Sequence, residues 1–188
     1  MYNLSKDLRL TVDFPVKINE EVYLHDAMFV KSEKFQGISF IFRKDDEETG
    51  QLYELKYMLY DVNPKSIPSW TTLEKEIYTL KSRVYHILEN FYEPQDIKID
   101  ADNFEDMASK VIFLLKDGPI KDRVTFSLKL IYNKSFEKII LPARGHVIKS
   151  DKVNYELAYT DWEKENYLLP EESDDSDDLD GLSGFNAI

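Results

Sequence analysis

A switch in hydrophobic period constrains this chain more than any other feature. Over residues 8–60 apolar side chains recur at every second position. The runs are Leu8, Leu10, Val12, Phe14, Val16 and Ile18, then Val22, Leu24, Met28 and Val30, then Ile38, Phe40 and Phe42, then the stretch 51–60. Period two is the mark of a half-buried strand, so four strands in hairpin order are expected. Pro15 has no N–H to donate and would hold the first strand on a sheet edge. From Leu73 the spacing becomes helical: Leu73, Ile77, Leu80, Val84, Leu88 and Phe91 line one face. Thr71 and Glu74 have capping-box spacing, and Pro94 marks the stop. A second helix is expected from Asp102 and Glu105, with Phe104, Ala108, Val111 and Leu115 on one side and Asp117-Gly118-Pro119 ending it.

Alternation then returns over 123–133 with Val124, Phe126, Leu128 and Leu130. Short apolar pieces follow at Ile139–Leu141 and Val147–Ile148, and 153–159 reads as a last strand through Tyr155, Leu157 and Tyr159. Strands, then helices, then strands do not make the strand–helix alternation of a parallel sheet. The order predicts a mainly β fold, an antiparallel barrel of five or six strands with a helical insert over about 71–116.

Simple counts remove several chemistries. The 188 residues contain no cysteine, so thiolate metal sites, disulfides and a cysteine nucleophile are excluded. Six glycines form neither a G-x-G-x-x-G nor a P-loop pattern. The longest apolar run, Val111–Leu115, is far below the roughly 20 residues that cross a bilayer, and the first residues lack the apolar core of a signal peptide. A soluble cytoplasmic protein is the expectation, with one folded domain over 1–170.

Charge is divided along the chain. The net charge is −12, yet residues 171–180, EESDDSDDLD, hold seven acids and no base. Such a segment has too little apolar surface to form a core, so 171–188 is expected to be a disordered acidic tail, ending in a more apolar tip with Phe185 and Ile188. Residues 121–152 carry eight Lys and Arg against three acids, interleaved with Phe126, Tyr132 and Phe136. Among those cations are Lys129, Lys134, Arg144 and Lys149. With Val124, Phe126, Leu128 and Leu130 turned inward, Thr125, Ser127, Lys129 and Asn133 are expected on the outer face. Lys31, Lys34 and Phe35 form a second basic–aromatic cluster, and Arg43 ends the next strand. A positive groove with exposed rings is what binds a single nucleic-acid strand, because phosphates need counter-charge and bases stack on rings.

Three stretches resemble bacteriophage single-stranded DNA-binding proteins of the OB-fold type. They are LHDAMFVKSEKFQGISFIF at 24–42, the helix pair over 71–116 and VTFSLKLIYNKSFEKIILP at 124–142, followed by the tail EESDDSDDLDGLSGFNAI. The resemblance implies an OB-fold-like barrel that coats single-stranded DNA during viral replication, recombination or repair. It matches Lys31, Lys34 and Phe35 to a basic–aromatic loop and Lys129, Tyr132 and Lys134 to a basic strand after the helices. It also implies that the tail, through Asp174, Asp175, Asp177, Asp178, Asp180, Phe185 and Ile188, recruits replication or recombination proteins and competes with DNA. In this chain Asn186-Ala187-Ile188 follow the tail aromatic, a departure from the family pattern. A homodimer is compatible with the family, and the 8–18 edge offers a surface for it.

Catalytic and metal readings find less support. His25, His86 and His146 are far apart and lack H-x-x-x-H spacing, so no metal site is expected. Asp45–Glu48 read as a solvated hairpin turn, and no pair of carboxylates stands out for acid–base work. A non-enzymatic binding protein without cofactor is the expectation. The alternative is an acidic protein-interaction module or DNA mimic, but a mimic should spread its acids over the folded surface.

Overall fold

A computed structural model describes residues 11–142 and 145–167. The expectations on Leu8, Leu10, Arg144 and the tail residues Asp174, Asp175, Asp177, Asp178, Asp180, Phe185 and Ile188 lie outside these described residues.

Among the described residues, eight strands and three α-helices follow in the order β1 (Thr11–Val12), β2 (Ile18–Lys31), β3 (Gln36–Asp45), β4 (Leu52–Tyr60), α1 (Leu73–Leu88), α2 (Phe104–Leu115), β5 (Thr125–Lys129), β6 (Ile131–Asn133), β7 (Lys138–Ile140), β8 (Ile148–Lys149) and α3 (Asp161–Tyr167). Six strands form one mixed sheet in the order β1-β4-β3-β2-β5-β8, and β6 pairs with β7 in a small second sheet. All neighbours in the large sheet are antiparallel except β1, which runs parallel to β4. The architecture is mainly β with a helical insert, and it is compatible with a barrel-like fold. No helix among the described residues is long and apolar enough to cross a membrane.

Strand β2 organises the sheet. Its first half, Ile18–Tyr23, pairs with β5, and its second half, Tyr23–Lys31, pairs with β3. Glu21 adopts φ 57°, and the ladder shifts register between Asn19 and Val22 and again between Leu24 and Asp26. Each irregularity adds local twist and bends the strand. The second one also exchanges faces. Leu24 and Ala27 both enter the core, so Met28 and Val30 fall on the opposite side from Val22 and Leu24. A single parity through Val22, Leu24, Met28 and Val30 is therefore corrected.

The expected first strand over 8–18 is also corrected. Within the described residues it reduces to Thr11–Val12, and a turn with Lys17 N–H on the Pro15 carbonyl separates it from β2. Asn19, almost fully buried, holds that turn by donating its side-chain amide to the carbonyls of Pro15 and Lys17.

One core joins the sheet to the helices. Phe14, Phe40 and Phe42 are fully buried, each contributing roughly 1.5–3 kcal/mol relative to an exposed ring. Leu80, Val84, Ile87 and Leu88 of α1 and Met107, Ala108, Val111 and Leu115 of α2 close the same cluster. Each N-cap falls one residue after the expected one. Thr72 accepts from Lys75 N–H, and Asn103 accepts from Asp106 N–H. Helix α1 ends at Leu88, well before Pro94, and Phe91 still reaches the core. Tyr53 packs on Phe14 at 5.6 Å and Tyr57 on Phe40 at 6.1 Å, so both rings pack against the core.

Two late elements differ from expectation. Residues 153–159 form no strand. Tyr155 and Tyr159 instead donate their hydroxyls to the carbonyls of Ile148 and Leu130. Burial pushes both phenols up to about 12. Helix α3 follows, capped reciprocally: Glu163 N–H donates to Thr160 Oγ1, and the Glu163 carboxylate accepts from Thr160 N–H.

Candidate nucleic-acid interface

Two hairpin tips present rings and cations together. At the β2–β3 tip, Ser32 N–H donates to the Phe35 carbonyl, while Ser32 Oγ accepts from the N–H groups of Lys34 and Phe35. These bonds satisfy the turn internally and leave the side chains of Lys34 and Phe35 outward. Phe35 is 43% exposed and meets Tyr60, at the end of β4, edge to face with centroids 5.4 Å apart. Lys31 extends to Glu105 of α2 at 2.7 Å, which ties this tip to the helical insert.

At the β6–β7 tip, Asn133 Oδ1 accepts from Ser135 and Phe136 N–H, and Glu137 takes φ 49° to complete the turn. Phe136 is 70% exposed, with the Lys138 ammonium 5.5 Å from its ring centre. Tyr132 is half-buried in register with Ile139, and Lys134 is exposed. Among the described residues, Lys34, Lys134, Lys138 and Lys149 have no carboxylate at ion-pair distance.

The tips leave opposite ends of β2. Lys31 ends that strand at the first tip, whereas Ile18, at its start, pairs with Lys129, just before β6 and the second tip. On the non-core side of β2, β3 and β4, Met28, Ser39 and Met58 stand in one cross-strand row. The Ser39 hydroxyl in that row is fully buried and has no hydrogen-bond partner among the described residues. Val30, Gly37 and Tyr60 form the next row toward the first tip, and Asp26, Ile41 and Lys56 the next row away from it.

Other expected contacts are already engaged. Lys129 is not on an outer face. It is 3% exposed, and its Nζ lies 3.1 Å from both Glu163 oxygens and 3.0 Å from the Ala158 carbonyl. The correction has one cause: α3 and the segment before it cover that side of β5. Arg43 meets Glu54 at 2.6 Å and His25 Nε2 at 2.8 Å. Burial, followed by the Arg43 charge, holds His25 below its ordinary range. Nearby, Arg123 pairs with Asp45 and lies 4.1 Å over the Tyr23 ring. Burial and the bond to Asp45 raise the Tyr23 phenol.

Sequence reasoning did not select Tyr60, Phe136 or Lys138 as site residues. The Asn133-Lys134-Ser135-Phe136 turn carried a usable signal, since Asn in a tight turn bonds its own backbone and turns the following side chains outward. Tyr60 had none, because both parities of 51–60 are apolar, with Leu52, Met58 and Tyr60 on one and Tyr53, Leu55, Tyr57 and Leu59 on the other.

The fold also brings histidines together that the sequence separates. His86 and His146, far apart in sequence and not expected to converge as ligands, lie with Nε2 and Nδ1 3.2 Å apart, and Glu89 approaches His86 Nδ1 at 2.5 Å. These three side chains form the one cluster of metal-ligating type among the described residues. His86 and Glu89 also line a cleft of about 710 Å³ beside α1, where Asp61, Asp100 and Asp102 make a setting unsuited to phosphate. Comparison with known proteins finds no family model, no curated protein and no solved structure that matches the chain.

Proposed function

We propose that this protein binds single-stranded DNA, without base-specific chemistry, across the outer face of β2, β3 and β4 between the two hairpin tips. The observation that carries this reading is the pair of exposed basic–aromatic tips, Lys34–Phe35 with Tyr60 and Lys134–Phe136 with Lys138, at opposite ends of one long strand. Rings at both ends offer stacking worth about 1–3 kcal/mol per base, and the lysines beside them supply charge for the backbone. The sheet between supplies Met28, Met58 and Ile41 rather than a continuous row of acids.

The sheet order supports an OB-type barrel. A long, bulged strand paired on both edges is followed by two antiparallel strands, a helical insert and then β5. Read that way, the β2–β3 tip occupies the loop between the first and second barrel strands. The β6–β7 tip occupies the loop after the fourth, and both loops flank the oligonucleotide face of such folds. The acidic tail at 171–188 acts as a tethered competitor for the same cations and as a docking strip for replication or recombination proteins. No catalytic residue is assigned.

Fluorescence anisotropy with a labelled 30-nucleotide DNA strand tests the reading. Binding is expected at low salt, tighter after deletion of 171–188. Replacing Phe35 or Phe136 with Ala should weaken it by about 1 kcal/mol or more while leaving the melting temperature nearly unchanged. No binding by either the full chain or the tail-deleted chain refutes the proposal and leaves the acidic protein-interaction module as the reading.

A further inference from the structure

The histidine cluster shares no residue with either tip and has its own chemistry. His86 comes from the last turn of α1 and His146 from the segment before β8, sixty positions apart in sequence. Their nitrogens sit 3.2 Å apart. That is hydrogen-bond distance between the two rings, and it is also close to the roughly 3.3 Å that separates two imidazole ligands on one tetrahedral zinc with Zn–N bonds of about 2.0–2.1 Å.

The surroundings fix which nitrogen faces the gap. His86 Nδ1–H donates to the Glu89 carboxylate, so in the neutral ring His86 Nε2 carries a lone pair toward His146. A carboxylate behind a ligating imidazole is the usual arrangement that orients the ring and increases its basicity. Tyr155 stacks on His146 at 3.7 Å and 15°, and on His86 at 5.7 Å and 28°. That tyrosine is anchored in turn, donating to the Ile148 carbonyl and accepting from the Asn90 amide. Both rings are therefore held in place before any ion arrives. His146 is exposed, which leaves the remaining coordination positions open to water.

We propose that His86 Nε2 and His146 Nδ1 bind a zinc-type divalent cation, with Glu89 as the positioning residue for His86. On binding, the proton that His146 Nδ1 holds toward the His86 Nε2 lone pair is lost to water and one is regained at His146 Nε2, and the freed Nδ1 lone pair goes to the metal. The ion then clips α1 to the 145–155 segment. Borderline cations that favour imidazole are the class expected, rather than magnesium or calcium.

Zinc chloride titrated into the untagged full chain by calorimetry, with thermal denaturation alongside, tests the proposal. One ion per chain is expected at micromolar zinc, with a rise in melting temperature that grows with zinc concentration. His146→Ala should weaken binding at least tenfold and abolish the thermal shift. Glu89→Gln should weaken it on the order of tenfold and move the visible absorption band of bound cobalt, whereas Glu93→Gln should do neither. Histidine ring proton resonances of the unmodified chain provide a readout without mutation: two of the three sets should shift with zinc, and the His25 set should not. Equal zinc affinity for the unmodified chain and His146→Ala overturns the proposal, and so does an unmodified chain that binds no zinc at micromolar concentration.

Discussion

Removing either charge from the Lys129–Glu163 pair leaves its partner buried without a counterion. Lys129→Met should cost about 3 kcal/mol, at the low end for a broken buried pair, because Glu163 keeps the bonds from Thr160 N–H and Oγ1. The pair also predicts a pH dependence. Burial alone would raise the Glu163 carboxyl, but the Thr160 N–H bond and the Lys129 ammonium outweigh it, and the group sits below its ordinary 4.5. A depressed carboxylate contributes stability that is complete above its unfolded value and is lost as pH falls through the folded one. The unmodified chain should therefore exceed Glu163→Gln in urea midpoint near pH 7, and the gap should narrow steadily below about pH 4.5. A gap that stays constant down to pH 3 would contradict the assignment. The position of Lys129 was illegible in the sequence for a physical reason. Alternation shows which face of β5 meets the main core but not whether a later helix covers the other.

At the scale of elements, Asn90 joins the end of α1 to the β8 corner. Its side chain accepts from Ser150 N–H at 3.0 Å and donates to the His86 carbonyl and the Tyr155 hydroxyl, while its own carbonyl accepts from Ser150 Oγ. Asn90→Ala leaves a buried donor at Ser150 unmatched and should cost roughly 1–3 kcal/mol in urea denaturation, with an unchanged urea midpoint the contrary result. The main strands and both long helices were legible, because each carries a sustained period: β3 through Ile38, Phe40 and Phe42, α1 through Leu80, Val84 and Leu88. The bulges in β2 were not, since nothing at Glu21 or His25 announces an extra residue. Helix α3 had no period to read across seven residues, yet its Thr160-Asp161-Trp162-Glu163 opening is a capping box and was the available signal. The rings at the candidate interface were legible at Phe35, by its basic neighbours. They were illegible at Tyr60, where exposure depends on the strand end reaching the tip.

For the whole molecule, the distribution of charge sets how binding responds to salt. Lys31, Arg43, Arg123 and Lys129 each have a carboxylate partner, so few cations remain for phosphates. With roughly three to five phosphates neutralised on a single strand, log K against log salt should have a slope of about −2 to −3.5. A slope steeper than about −6 would mean a basic surface far wider than the two tips. The same sheet has a consequence for how the chain assembles. Ile18 lies opposite Lys129 and Tyr23 opposite Thr125, pairings that span most of the sequence between them. Until β5 has been synthesised, one edge of β2 has no native partner, while its other edge can already zip against β3. A growing chain thus carries an open strand edge through the production of both helices, and closing it late, at high contact order, is the slow and aggregation-exposed step of folding.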